Sequence, residues 1–372
     1  MNTTKKLTLH FIQDIPTPHN NVLLKALRDD SAIDLYIWYA RLTHPQYSFK
    51  AELGYEVGMP TIYGYKLPSW HLIRTVFFNK SDKFFIVGWM NPTTRFLVLL
   101  FWILRRPYNI WFDCPQHRPF NLLKSSVRNF YYFILKKSKA KIFAVGENTV
   151  QYFKKRGFSE EGLVNLPIFV EVNKSIEDYR KNRTEIRSHY QTADSDFFIV
   201  TGSRLIYEKG FDLLIDAIAN LDEKIKKNVK LLIVGKGPEK QKLIQKVSHN
   251  KLGGSIFFED WMTQQDFMKH IGAADLVVHP ARFDAYGGIT LSAMIAGVPV
   301  VGSNQAGSAK DRISHGLNGW LYDCNDVSKL TYWISIAIEN PGMLEEMGRS
   351  ARETADHYTP SIGATQLLEQ LI

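Results

Sequence analysis

Four apolar runs in the second half of the chain, FFIVTG, LLIVG, LVVHP and VPVVGS, each stop at a glycine, proline or serine and are each followed by a polar loop. None of them alternates apolar with polar residues, so each must be covered on both faces. Strands of that kind separated by amphipathic stretches belong to a parallel sheet wrapped by helices. Phe211 begins one such stretch, with Leu213, Leu214, Ala217, Ile218 and Leu221 spaced for a single buried face. A second helix is expected from Pro238, after Gly235-Lys236-Gly237. A third opens at Gly287-Gly288 with Ile289, Ala293 and Met294 inward, and Gly297 stops it before a strand from Val298.

The loops at the carboxyl ends of these strands carry the chemistry, because open parallel sheets bind ligands there. Gly202 closes the first run, and Arg204 and Lys209 follow it before the helix. A guanidinium offers phosphate a planar fork and an ammonium offers a point charge. Bare backbone at Gly287 and Gly288 lets the amides of Gly288, Ile289, Thr290 and Leu291 approach an anion, with the helix dipole behind them. Two cations and one helix start describe a diphosphate cradle. Asp284 lies just before the glycines, next to Tyr286, where its carboxylate can accept hydrogen bonds from sugar hydroxyls. Singly these features are weak, since a lone arginine before a helix is usually a solvated charge. Gly235-Lys236-Gly237 lacks the third glycine of the dinucleotide fingerprint, which argues against an oxidoreductase on a similar scaffold.

Taken in order, SRLIYEKGFDLLIDAI, LLIVGKGPE, ADLVVHPARFDAYGGITLSAMIAGVPVVGS and AGSAKDRISHGLNGWLYD resemble the sequence blocks of the retaining glycosyltransferases of family 4, within glycosyl transferases group 1. The likeness is good from about 197 to 325 and looser elsewhere. It implies an α/β chain of GT-B fold, with two Rossmann-like doubly wound domains facing a central cleft. It implies transfer of a hexose or N-acetylhexosamine from a nucleoside-diphosphate sugar, of UDP type in the modal case, with no metal and no further cofactor. Arg204, Lys209 and Asp284 are then the catalytic candidates. Gly202, Gly235, Gly237, Tyr286, Gly287, Gly288, Ile289, Thr290, Leu291 and Ser292 are the donor-binding ones. Ser292 is a departure: relatives carry a second acid there, understood to hold the donor's ribose. A charge-assisted hydrogen bond of about 1.5–3 kcal/mol is thereby missing. Either the nucleotide is held otherwise, or donor affinity is weak, or the chain is a degenerate member that binds a sugar nucleotide or a partner without turnover. A sugar-nucleotide epimerase of the same fold is a further alternative.

Length allows two domains, and 45% hydrophobic with 22% charged residues is a globular balance. The two cysteines, Cys114 and Cys324, lack paired spacing and fit a reducing compartment without disulfides or zinc. The N-terminal segment does not read as a secretion signal. An acceptor domain is expected over 1–172 and a nucleotide-sugar domain over 173–372, linked through the polar stretch 174–196, with a last helix of the kind that in the GT-B fold can pack back on the first domain. The first half alternates strands (Thr8–Ile12, Ile33–Tyr39, Phe84–Val87, Tyr108–Phe112, Ile142–Val145) with helices. Loops after these strands supply acceptor candidates: His19, Asp113, His117 and Glu147.

Charge is uneven. Residues 1–180 hold 25 Lys and Arg against 14 Asp and Glu, whereas the remainder holds 21 against 23. Nine of the basic residues fall within 101–150, among many aromatics. The apolar stretch Phe96–Leu104 is too short to span a bilayer. A helix over 125–137 is expected to gather Val127, Phe130, Tyr131, Ile134 and Leu135 on one face, leaving Tyr132 and Phe133 off it. A basic aromatic helix can lie on an anionic membrane, and a core helix with a solvated end is the ordinary alternative. A polyanion would also suit the charge, but no nucleic-acid motif is present. The expectation is a cytoplasmic enzyme, peripheral at the inner membrane surface. Its acceptor would be a lipid-linked glycan in assembly of a surface polysaccharide such as O-antigen, capsule or exopolysaccharide.

Overall fold

The computed structural model describes residues 6–41, 61–62, 64, 68–88, 91–115 and 122–371. The chain divides into two compact units, Met1–Glu171 with Tyr358–Ile372, and Val172–His357.

Among the described residues the first unit holds a seven-stranded, all-parallel sheet: β1 Leu7–Gln13, β2 Ile33–Tyr39, β3 Thr61–Ile62, β4 Lys83–Val87, β5 Tyr108–Phe112, β6 Ala140–Ala144 and β7 Leu163–Asn165. Spatial order is β3-β2-β1-β4-β5-β6-β7. The chain therefore winds outward one way from β1 and then the other way from β4, and the order reverses between those strands. One side chain set of the sheet, with Phe84, Ile86, Tyr108 and Ile110, packs with Leu72, Leu97, Phe101, Ile134 and Leu135 in a single core. Those last five come from helices Trp70–Phe78, Pro92–Ile103 and Leu122–Lys137, so the three helices cover the same face. Helix Pro18–Asp29 packs instead against helix Pro360–Leu371, near whose start Gly363 sits tight on the Phe169 ring.

The second unit holds a six-stranded parallel sheet of β8 Phe197–Gly202, β9 Val229–Val234, β10 Ile256–Glu259, β11 Leu276–His279, β12 Val300–Ser303 and β13 Gly319–Tyr322. Its order is β10-β9-β8-β11-β12-β13, with the reversal between β8 and β11. The continuous apolar runs are fully buried, as two-faced coverage requires: Ile199, Leu231, Ile233, Leu276, Val278 and Val301 are all inaccessible.

Several local expectations shift. Helix Phe211–Ala219 buries Ile215, while Leu213 is only half-buried. Pro238 lies in a turn and its helix runs Lys240–His249. The polar stretch 174–196 is not a linker. It forms helices Ile176–Arg180 and Arg183–His189 inside the second unit, where Arg183 and Arg187 both bond Asp275 at 2.5 and 2.9 Å. Those two arginines are paired, which is why a charge-rich stretch can be part of a packed unit. Among the described residues no helix is long and apolar enough to cross a membrane.

Candidate functional site

In an open doubly wound sheet the two loops that flank the order reversal splay apart and leave a crevice. In the second unit those loops follow β8 and β11. The first carries Arg204 and Lys209, and the second carries Asp284. The topology therefore puts the three residues singled out from the sequence on the two loops that flank the reversal.

The pairing is direct. Lys209 Nζ lies 2.5 Å from Asp284 Oδ2, and both side chains are largely buried, at 9% and 12% exposure. Arg204, by contrast, is exposed. Burial pushes the Asp284 carboxyl up, but the hydrogen bond from His279 and the Lys209 ammonium outweigh it and hold the group well below the usual carboxylate range. His279, the last residue of β11, places Nε2 at 3.1 Å from Asp284 Oδ2 and Nδ1 at 2.9 Å from Thr290 Oγ1. A carboxylate only accepts, so Nε2 carries the proton. With a neutral ring, Nδ1 then accepts from the Thr290 hydroxyl. Thr290 is inaccessible and sits in helix Gly288–Ile295, so this relay ties the orientation of Asp284 to the first turn of that helix.

That first turn is otherwise open. Gly287 is its N-cap and supplies no side chain to the leading amides, which have no acceptors within the helix. Gly287 has φ +85°, and a Cβ there would stand 2.3 Å from His279 Cε1 and 2.7 Å from Asp284 Oδ2. Glycine is required by both conformation and space. Ile289, Thr290 and Leu291 bury their side chains, so only their backbone can face a ligand. Ser292 is half-buried.

Neighbouring loops fix this arrangement. Arg282 forks onto Asp212 with two bonds of 2.6 Å and donates to the Tyr207 carbonyl at 3.0 Å, strapping the β11 loop to the helix start after Lys209. Gly307 N donates to the Asp284 carbonyl at 3.1 Å, and Ser308 N to the Tyr286 carbonyl at 2.7 Å. Ser308 Oγ donates to the Gly287 carbonyl at 2.6 Å. Buried Tyr286 is held through its hydroxyl by Arg312 Nε at 3.1 Å. Gly235 and Gly237 have a structural reason of their own: a Cβ would strike the Ser203 carbonyl at 1.9 Å and the Leu205 carbonyl at 2.2 Å. They let the β8 and β9 loops close on one another through Leu205 N to Lys236 O at 2.8 Å. Gly202 is confined by the Phe267 ring, 2.8 Å from where its Cβ would lie.

In the first unit His19, in the first turn of helix Pro18–Asp29, follows β1 at the reversal, and burial lowers its pKa. Asp113 follows β5 and is exposed. Glu147 starts helix Glu147–Lys154 after β6 and accepts from Gln151 Nε2 at 2.6 Å. All three stand at carboxyl ends of strands of one sheet. His117 lies outside the described residues.

His279 and Arg282 were missed in the sequence, and Thr290 was expected there for its amide rather than for its hydroxyl. A histidine closing an apolar strand reads as one more core position, and only its spacing of five before Asp284 hinted at a pairing.

Residues 182–354, just under half of the chain, match the family model described as glycosyl transferases group 1. The chain is 28% identical over 180 residues to the GDP-mannose-dependent alpha-(1-6)-phosphatidylinositol monomannoside mannosyltransferase of Mycolicibacterium smegmatis, covering 46% of each. It is 24% identical over 177 residues to the N-acetyl-alpha-D-glucosaminyl L-malate synthase of Bacillus anthracis, covering 47% of this chain and 45% of that one. These matches thus span less than half of each relative's length. Among solved structures, Anabaena Alr3699/HepE in complex with UDP superposes with TM-score 0.78 at 19% identity over 98% of this chain and 99% of that one. WaaG, a glycosyltransferase involved in lipopolysaccharide biosynthesis, gives TM-score 0.68 at 16% identity over 96% and 98%. The architecture is therefore GT-B, two Rossmann-like units of parallel sheet and helix, and residues 182–354 are similar to the glycosyl transferases group 1 model.

Proposed function

We propose that this protein is a glycosyltransferase that moves a hexose or N-acetylhexosamine from a nucleoside-diphosphate sugar to a hydroxyl of a lipid-linked glycan. In this reading it works at the cytoplasmic face of the membrane, in assembly of a surface polysaccharide. The observation that carries the reading is the Lys209–Asp284 pair at the order reversal, beside an uncapped helix start and exposed Arg204. As the glycosidic bond breaks, charge grows on the leaving diphosphate. In this reading Arg204, Lys209 and the amides opening helix Gly288–Ile295 receive it, and preorganised charge of this sort is usually the largest catalytic contribution. Asp284, kept ionised by its neighbours, is suited to accept hydrogen bonds from sugar hydroxyls. A UDP-type donor remains the working choice, and retention of configuration is part of the same reading.

The test is a thermal-shift panel of UDP, GDP and their sugars on the wild type and on Arg204→Ala. Arg204 is exposed, so its removal should change intrinsic stability by no more than about 0.5 kcal/mol. Stabilisation by one nucleotide in the wild type, lost in the variant, supports the cradle and fixes the base. Stabilisation without turnover on any acceptor would favour a degenerate binding protein, the alternative that Ser292 raises. No stabilisation by any nucleotide would sink the reading.

A further inference from the structure

Helices Trp70–Phe78, Pro92–Ile103 and Leu122–Lys137 of the first unit share one face of its sheet. Their outward sides are apolar to an unusual degree. Trp70, Phe78, Phe96, Ile103, Phe130 and Phe133 are 76, 74, 41, 62, 50 and 52% exposed. Helices Pro18–Asp29 and Pro360–Leu371, which pack on one another elsewhere in the unit, contribute no exposed large hydrophobic residue. Tyr36 of β2 is also exposed, but a single exposed aromatic needs no explanation, whereas a set gathered on three neighbouring helices does.

Charge is sorted in the same way. Asp and Glu make up 37 of the 372 residues, yet none occurs in any of the three helices. The cations there are Arg74, Arg95, Lys124, Arg128, Lys136 and Lys137. The loop after Ile103 adds Arg105 and Arg106. At the end of the third helix a hollow of about 310 Å³ is lined by Tyr132, Phe133, Lys136 and Arg156, an apolar wall with two cations. An ordinary solvated helix face mixes both signs of charge. A face that excludes carboxylates while exposing aromatic rings suits a partner that is an extended anionic sheet with an apolar interior. Aromatic rings enter the headgroup boundary and long cationic side chains reach the phosphates above it.

We infer that this three-helix face is the protein's docking surface for an anionic lipid bilayer. It deepens the proposed lipid-linked acceptor and rests on that reading only for its biological purpose. The sequence pointed to part of this surface with a misplaced face. Val127 and Phe130 turn outward together with Phe133, while Tyr132, Ile134 and Leu135 turn inward.

The experiment is sedimentation of the full chain with vesicles of phosphatidylcholine alone or with phosphatidylglycerol. Strong binding is expected only with phosphatidylglycerol, falling as salt rises because exposed charges are screened beyond about 10 Å at 0.1 M. Lys136→Glu/Lys137→Glu should weaken binding by more than the roughly fivefold that loss of one cation near such a surface represents. Phe130→Ser/Phe133→Ser should weaken it at least tenfold, with the melting temperature kept because both rings are half exposed. A wild type that donor nucleotides stabilise but that ignores the vesicles separates failure of this inference from failure of the transferase reading. Absence of binding to phosphatidylglycerol vesicles at low salt overturns the inference. So does a wild type that dimerises through these phenylalanines, which would make the face a protein interface.

Discussion

Replacing Lys209 by methionine keeps the length and most of the volume of the side chain but removes the ammonium that pairs with a buried carboxylate. The pair is short, at 2.5 Å, and both groups are largely out of water. Removing one member of such a pair costs roughly 3–5 kcal/mol, because the other charge stays buried without its partner. His279 continues to donate to Asp284 Oδ2 at 3.1 Å, so the lower end, about 3 kcal/mol, is expected. For a unit of this size each kcal/mol moves the melting temperature by roughly 2–4 °C, which gives a drop of about 6–12 °C. Calorimetry on the full chain measures it, with hydrogen exchange over 276–303 assigning the transition. The double variant Lys209→Met/Asp284→Asn removes the stranded charge and should recover most of the loss. The sign with pH follows from the depressed Asp284 pKa: its contribution is present above the ordinary carboxylate value and is lost as pH falls through its lowered one. The penalty of the single variant should therefore shrink in acid. A single variant within 1 kcal/mol of wild type would refute the coupling. A double variant as unstable as the single one would show that the lysine stem, not its charge, carries the effect.

Two further outcomes are expected. His10 is buried in β1 with its pKa lowered by burial, against an opposing hydrogen bond to Asp82 at 2.9 Å and with His71 nearby, and His19 is lowered by burial too. Unfolding lets both rings bind protons, so the stability of the first unit should fall as pH drops below about 6.5, and a flat melting profile between pH 7.5 and 5.5 would contradict it. Gly287→Ala should cost about 1–3 kcal/mol from its positive φ alone and should abolish donor stabilisation by displacing His279 and Asp284. Unchanged donor binding in a folded Gly287→Ala protein would show that the His279–Asp284 geometry is dispensable.

The parts of the fold legible in the sequence are those with one dominant pattern. Runs such as FFIVTG and LLIVG can only be doubly covered strands, and both lie inside the second sheet rather than at its edges. Glycines and cations placed after such runs must fall at the carboxyl edge, whatever the strand order. Patterning failed where it was degenerate. Helix Leu122–Lys137 has apolar residues on every side, so spacing alone offered several buried faces. The packed set was chosen by tertiary contacts such as the Tyr132 hydroxyl at 2.7 Å from that of Tyr152. The stretch 174–196 looked like a tether because it is polar and charge-rich, with few apolar residues to bury. Asp275, which joins Arg183 and Arg187 to the second sheet, lies about ninety residues away along the chain.

The candidate site shows the same limit at closer range. Sequence order could place Lys209 and Asp284 on two loops, but it could not say that β8 and β11 are neighbours in a sheet where β9 and β10 intervene along the chain. That adjacency turns two loop residues into a buried ion pair, whereas the two partners of the His279 ring come from its own loop and the helix after it. A strand ending in histidine is unremarkable until the helix two loops on returns a threonine to its other nitrogen. The relay from Thr290 through His279 to Asp284 is thus local to the end of β11, its loop and the helix that follows. It makes the carboxylate's position depend on the same helix start that offers its amides to an anion, so a ligand that moves one must move the other.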